Sequence, residues 1–205
     1  MNTTRILLRA KSGPRVGRGH VARSAAVAEA LVELGAEPLL VLDDASETAG
    51  LAARGLAAVS VVERPAWARE PACAAWLDGF VDWSEELRQL ARHGTPSYLV
   101  ENRTPCREFA SFVVHPNLYD RRDTWERVHA ERVLAGPEWI PLARSVLTQP
   151  TAGRDLELLV TFGGSDPLRS TERVLAHLPA GLRVAVSIGD HMQPRRAAIA
   201  AAACH

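Results

Sequence analysis

The strongest constraint on the fold lies at the start of the chain, where two short apolar runs flank a helical repeat. Residues 6–10 read as a buried strand, and residues 39–42 as a second one that ends at Asp43 and Asp44. Between them, Val21, Ala25, Ala28 and Leu31 or Val32 recur at helical spacing from His20 to about Leu34, and Gly35 supplies the C-terminal stop. Strands whose apolar residues run nearly continuously have to be covered on both faces. This βαβ unit therefore implies a parallel sheet with helices on either side, an α/β architecture.

The alternation continues along the chain. Residues 58–62 form a plausible third strand, and 63–76, with Pro65, Pro71 and two tryptophans, read as irregular or short helix. Residues 84–92 are helical with Leu87 and Leu90 inward, while 97–100 and 112–114 are short strands. Residues 134–144, with Pro137 and Pro141, read as an extended crossing, and 147–153 have linker composition. A second βαβ unit follows: a strand at 156–162, a turn at Gly163-Gly164-Ser165-Asp166, and a helix over 167–178 with Pro167 at its first position and Asp166 as cap. A strand over 183–188 comes next. The expected division is 1–146 for a first Rossmann-like domain and 147–205 for the opening of a second, incomplete one.

Composition narrows the function. Among 205 residues, Lys+Arg and Asp+Glu both number 24, so the basic excess that phosphate neutralisation on a nucleic acid demands is missing. Lys11 is the only lysine. Three cysteines, Cys73, Cys106 and Cys204, are widely spaced with no CxxC pair, which argues against a disulfide framework or a cysteine zinc site. No histidine or carboxylate spacing suggests a metal site, and no cofactor is expected. Neither a signal-peptide core nor a membrane-length apolar stretch is found, so the expected location is the cytoplasm. The five tryptophans are scattered and are expected in the core.

The loop Gly17-Arg18-Gly19-His20, at the first strand–helix junction, is the leading candidate site. Glycines allow a close backbone approach, and a helix start favours anionic or polar oxygens. Arg23 stands where a dinucleotide fingerprint would carry its third Gly or Ala, so the loop is not that motif. A neutral His20 at the carboxyl edge of a sheet suits a general base, and the alternative is a histidine that caps its helix. Arg23 lies on the same helical face as His20, in a first turn unfavourable to a cation, so an anionic ligand or a nearby carboxylate is expected beside it. Gly163, Gly164, Ser165 and Asp166 repeat the glycine-turn logic, Asp166 also reading as a plain cap. If the two junctions faced each other, they would line a crevice for a nucleotide-linked ligand. His115 and Asn117 follow a strand and are further candidates.

Taken in order, Arg5-Ile-Leu-Leu-Arg-Ala, Gly17-Arg-Gly-His20-Val-Ala-Arg23, Leu134-Ala-Gly-Pro-Glu-Trp-Ile-Pro-Leu-Ala-Arg144 and Leu159-Val-Thr-Phe-Gly-Gly-Ser-Asp-Pro167 resemble the PseG/SpsG family. That family includes the UDP-sugar hydrolase of pseudaminic acid biosynthesis and spore-coat polysaccharide glycosyltransferases. The resemblance implies a glycosyltransferase-B-like pair of Rossmann-type domains and a nucleotide-sugar substrate. It also implies metal-free attack of water on the anomeric carbon, with His20 as base. A related transferase would use the same histidine on an acceptor hydroxyl, and a non-catalytic half-enzyme would require a homodimer mate or a partner chain. The sequence departs from the family pattern in the middle section, with Phe80-Val-Asp82-Trp83 in place of an Asp-x-Tyr pair and Glu101-Asn102 in place of an acidic pair.

Overall fold

A computed structural model describes residues 4–13, 16, 18–116, 129–148 and 156–203. The chain divides into two compact units, Met1–Ser12 with His20–Leu147, and Gly13–Gly19 with Thr148–His205.

The first unit is built on a seven-stranded sheet, every strand parallel to its neighbours. Its strands are β1 (Arg5–Ala10), β2 (Glu37–Leu42), β3 (Ala57–Ser60), β4 (Ala74–Asp78), β5 (Ser97–Val100), β6 (Phe112–His115) and β7 (Val133–Ala135). They lie in the order β3-β2-β1-β4-β5-β6-β7. The chain thus builds outward from β1 in one direction, then returns to β1 and builds in the other. At such a reversal the two connections leave on opposite faces, which opens a crevice at the carboxyl ends of the two central strands. Here those strands are β1 and β4, and Ala10 stands in register with Asp78 at their ends.

Side-chain alternation supplies the two faces. Leu7, Val41, Ala75, Leu77, Leu99 and Val113 point to one side, where they pack with Trp67, Trp83, Leu87 and Leu90. The last two come from α3 (Ser84–Arg92), whose apolar stripe they form. Leu8, Ala10, Leu40 and Leu42 point to the other side and meet Val21, Ala25 and Ala28 of α1 (Gly19–Glu33). The small Ala25 and Ala28 let α1 lie close to the sheet, which brings the first turn of the helix against the ends of β1 and β4. A short helix α2 (Thr48–Ala52) leads into β3.

The second unit holds β8 (Leu158–Val160) and β9 (Val184–Val186) as a parallel pair, with α5 (Ser170–Leu175) and α6 (Arg196–Ala202). Its core is Val160, Leu175, Met192 and Ile199.

Four elements differ from the sequence reading. Residues 74–78, part of which read as irregular because of the prolines before them, form the central strand β4; Pro65 and Pro71 end upstream of it and leave its hydrogen-bonding positions intact. Residues 133–135 form β7 inside the presumed crossing, and α4 (Arg144–Thr148) occupies its end. The helix expected from Pro167 begins instead at Ser170. Asp166 and Arg169 both adopt positive φ, +37° and +52°, so the chain makes an additional turn before the helix starts. Trp67 and Trp83 are core residues as expected, whereas Trp139 is 39% exposed. Trp125 and Cys204 lie outside the described residues.

One glycine in the second unit is fixed by contact alone. A Cβ on Gly189 would collide with the carbonyl of Gly164, backbone that has no rotamer with which to yield. Gly189→Ala is expected to cost about 1–3 kcal/mol, the usual range for forced overpacking. Hydrogen exchange should show amides of β8 and β9 losing protection while those of β1, β2 and β4 keep theirs.

Candidate functional site

At the carboxyl ends of β1 and β4 four polar side chains converge. Asp78, the last residue of β4, is completely buried. The strand's alternation that sends Ala75 and Leu77 to the α3 side sends Asp78 to the α1 side, under the first turn of that helix. There His20 Nδ1 lies 2.7 Å from Asp78 Oδ1. Arg23, one helical turn further on, donates Nε to Asp78 Oδ2 at 2.7 Å and Nη2 to Asp78 Oδ1 at 2.8 Å. Its remaining Nη1 donates to Glu101 Oε2 at 2.6 Å. Glu101 follows β5 directly, so the network ties the ends of two adjacent strands, β4 and β5, to one helix.

The contacts fix the state of each group. Asp78 already accepts two bonds from a guanidinium and can only accept from His20 as well, so the imidazole carries its proton on Nδ1 and a lone pair on Nε2 when neutral. Among the described residues Nε2 has no hydrogen-bond partner. The His20 side chain keeps 8% of its surface exposed, and Phe80, edge-on at 4.9 Å between ring centroids, is its exposed neighbour. Burial alone would lower the Arg23 pKa, but the bonds and charges of Asp78 and Glu101 outweigh it and raise it further. Its cation is permanent.

The loop after β4 is pinned from two sides. Asn102, fully buried, donates to the carbonyls of Gly79 and Val81 at 2.8 and 2.7 Å. The Lys11 amide donates to the Asp78 carbonyl at 2.8 Å, and a Cβ on Gly79 would lie 2.7 Å from Lys11 Cβ. Glycine at 79 is what allows the segment leaving β1 to close over the end of β4. Beside this point Asp43, at the end of β2, binds Arg9, Lys11 Nζ at 3.2 Å and the Ser12 amide at 3.0 Å. Burial would raise its pKa; Arg9, Ser12 and Lys11 together hold it below the usual carboxylate range. The Arg9 guanidinium also lies over the Trp83 ring at 5.1 Å.

The structure brings His20 and Arg23 together and gives Arg23 the nearby carboxylates that its unfavourable position called for. Each nitrogen of the Arg23 guanidinium is engaged by Asp78 or Glu101, so the side chain supports the carboxylate beside His20. A Cβ on Gly19 would meet open space, so packing does not require glycine there. In the second unit, Asp166 is buried and accepts from the amides of Ser170 and Thr171 at 2.8 and 2.9 Å. It thereby occupies the start of α5 and acts within its own unit, with Arg195 at 3.6 Å. Gly163, at φ +75°, and Gly164 form the turn before it, and Ser165 offers its carbonyl to Arg195 Nη2 at 3.5 Å. His115 is buried at the end of β6. Gly17 and Asn117 lie outside the described residues.

Sequence reasoning missed Asp78, the centre of the network, because β4 itself was read as irregular up to Trp76. The signal was present in Ala-Ala-Trp-Leu-Asp-Gly, an apolar run closing on an acid, as the run of β2 closes on Asp43. Among the described residues no group of three or more His, Cys, Asp or Glu is placed to hold a metal ion, and no helix is long and apolar enough to cross a membrane.

Two solved structures share this architecture. MurG of Acinetobacter baumannii superposes with a TM-score of 0.57 at 12% identity, covering 98% of this chain and 64% of the other. LpCGTa, solved in complex with UDP, gives 0.51 at 15% identity over 91% of this chain and 70% of its own. The chain has a glycosyltransferase-B-like α/β fold. It spans just under two thirds of the length of the MurG chain. No known family and no curated protein sequence matches it.

The packing of Phe80 beside His20 makes a measurable statement about access. Phe80→Ala should speed acylation of His20 by diethyl pyrocarbonate severalfold, mapped by mass spectrometry, with the rates at His93 and His177 unchanged.

Proposed function

We propose that this chain binds a nucleotide-sugar at the carboxyl edge of β1 and β4 and catalyses transfer of the sugar to an acceptor hydroxyl, with His20 as general base. The observation that carries the reading is the 2.7 Å contact between His20 Nδ1 and the buried Asp78, made where the strand order reverses. A histidine so held has its tautomer set, its ring fixed and Nε2 free to accept a proton, which is the arrangement a general base requires. The glycosyltransferase-B-like fold and the UDP complex of LpCGTa support the substrate class.

In the step, Nε2 takes the proton of the acceptor O–H as its oxygen bonds to the anomeric carbon. The bond from that carbon to the phosphate oxygen breaks, and a nucleoside diphosphate leaves with the electron pair. Open space over Gly19 leaves room for an oxygen to approach the backbone beside His20. Gly163, Gly164 and Ser165 are the second unit's candidates for nucleotide contact, with Asp166 shaping their turn. Hydrolysis is the second reading, supported by the PseG/SpsG resemblance of Gly17-Arg18-Gly19-His20 and Arg23; water then takes the place of the acceptor.

The test is calorimetry with UDP followed by UDP release from UDP-sugars, with and without acceptor. His20→Ala should lower the rate by roughly 100-fold or more, and Asp78→Asn by a comparable factor, because the amide can no longer hold the ring as the carboxylate does. Acceptor-independent release would assign the hydrolase. Rates equal to wild type in both variants would overturn the role of His20.

A further inference from the structure

We propose that Arg23 and Glu101 form a charge relay of fixed sign behind Asp78, in which Arg23 is the positioning residue that offsets the pull of the buried carboxylate on a second proton at His20, and Glu101 limits how far that opposition goes. This deepens the catalytic reading of His20 and rests on it.

The argument begins with what Asp78 would do alone. A completely buried carboxylate 2.7 Å from an imidazole strongly favours the imidazolium, and a protonated ring cannot act as a base. Arg23 meets that carboxylate on both oxygens, at 2.7 and 2.8 Å, and offsets its charge from within the same network. Its Nη2 also stands 3.5 Å from His20 Nδ1 and adds direct opposition to a second cation. With a neutral ring, Asp78, Arg23 and Glu101 leave the group one net negative charge, and a proton on His20 balances it.

Glu101 carries an independent sign of this role. It sits at φ +50°, a left-handed backbone conformation that strains a non-glycine residue. Its amide continues the ladder to the Val114 carbonyl at 2.8 Å, so the turn is imposed at the end of β5, where it delivers the carboxylate to Arg23 Nη1. Glycine would relieve the strain there, but it would bring no charge.

Among the described residues near His20, α1 contributes the charge of Arg23, β4 that of Asp78 and the end of β5 that of Glu101. The segment before α1 carries Lys11 and Arg18, the Lys11 ammonium being held 3.2 Å from Asp43. Phe80 adds an uncharged neighbour.

The experiment follows the His20 ring by NMR through its titration in the whole chain, with the resonance assigned by its loss in His20→Asn. Arg23→Gln should move the midpoint upward by roughly one pH unit or more, since it removes the opposing cation. Glu101→Gln should move it downward by roughly half a unit, because Arg23 is then less offset. Arg23→Lys, which keeps the charge but loses the fork, should stay near wild type in midpoint while lowering kcat. If Arg23→Gln does not fold, the sign of the Glu101→Gln shift decides alone. Midpoints that do not move, or that move in the same direction in both variants, would overturn the proposal. The titration needs no substrate, so opposite shifts in a chain without UDP release would reject the catalytic reading and leave the relay standing. Activity with unmoved midpoints would do the reverse.

Discussion

Everything at the carboxyl edge of the first unit is organised around one carboxylate that has left water entirely. Burying a charge is expensive unless it is paired and hydrogen-bonded, and Asp78 meets that condition only through α1. His20 and Arg23 therefore do more than decorate the helix: they compensate the end of β4, and β4 in turn fixes where the first turn of α1 can sit. Removing either side leaves the other as an uncompensated buried group. The site and the sheet are stabilised by the same contacts, and this is why the ring can be held so closely.

The fold places this cluster where parallel α/β sheets admit ligands. The order β3-β2-β1-β4-β5-β6-β7 reverses between β1 and β4, and the residues at that reversal are the ones with chemistry to offer. The neighbouring position, between β1 and β2, is built differently. There Asp43 is tied to Arg9, Lys11 and Ser12, so its acidity is spent on closing the loop after β1. Two acids at the ends of the strands that flank β1 thus have separate tasks: one braces the loop, the other supports an imidazole with a free nitrogen.

Much of this was legible in the sequence. The first βαβ unit, α3 and the strands at 97–100 and 112–114 follow from apolar runs and helical spacing, because the residues that each buries recur at the period of its own secondary structure. His20 and the need for a carboxylate beside Arg23 were also legible, the latter because a cation in a first helical turn requires one. What could not be read was which carboxylate. Asp78 is 58 residues from His20, and the strand carrying it follows a proline-rich stretch whose local signals say loop. Its strand character comes from pairing with β1 and β5, a tertiary cause that outweighs the loop signals before it. The start of α5 was misplaced for the opposite reason: Pro167 is a sound helix opener, but the left-handed turn at Asp166 and Arg169 defers the helix to Ser170.

The solitary lysine has a practical consequence. Lys11 is about a third exposed and anchored by Asp43 directly beside the end of β4. Apart from the amino terminus, the chain therefore offers amine-directed chemistry a single address, and it adjoins the imidazole's own neighbourhood. A fluorophore or cross-linker attached there would report on this edge alone, without the background of labelled surface that a lysine-rich protein imposes.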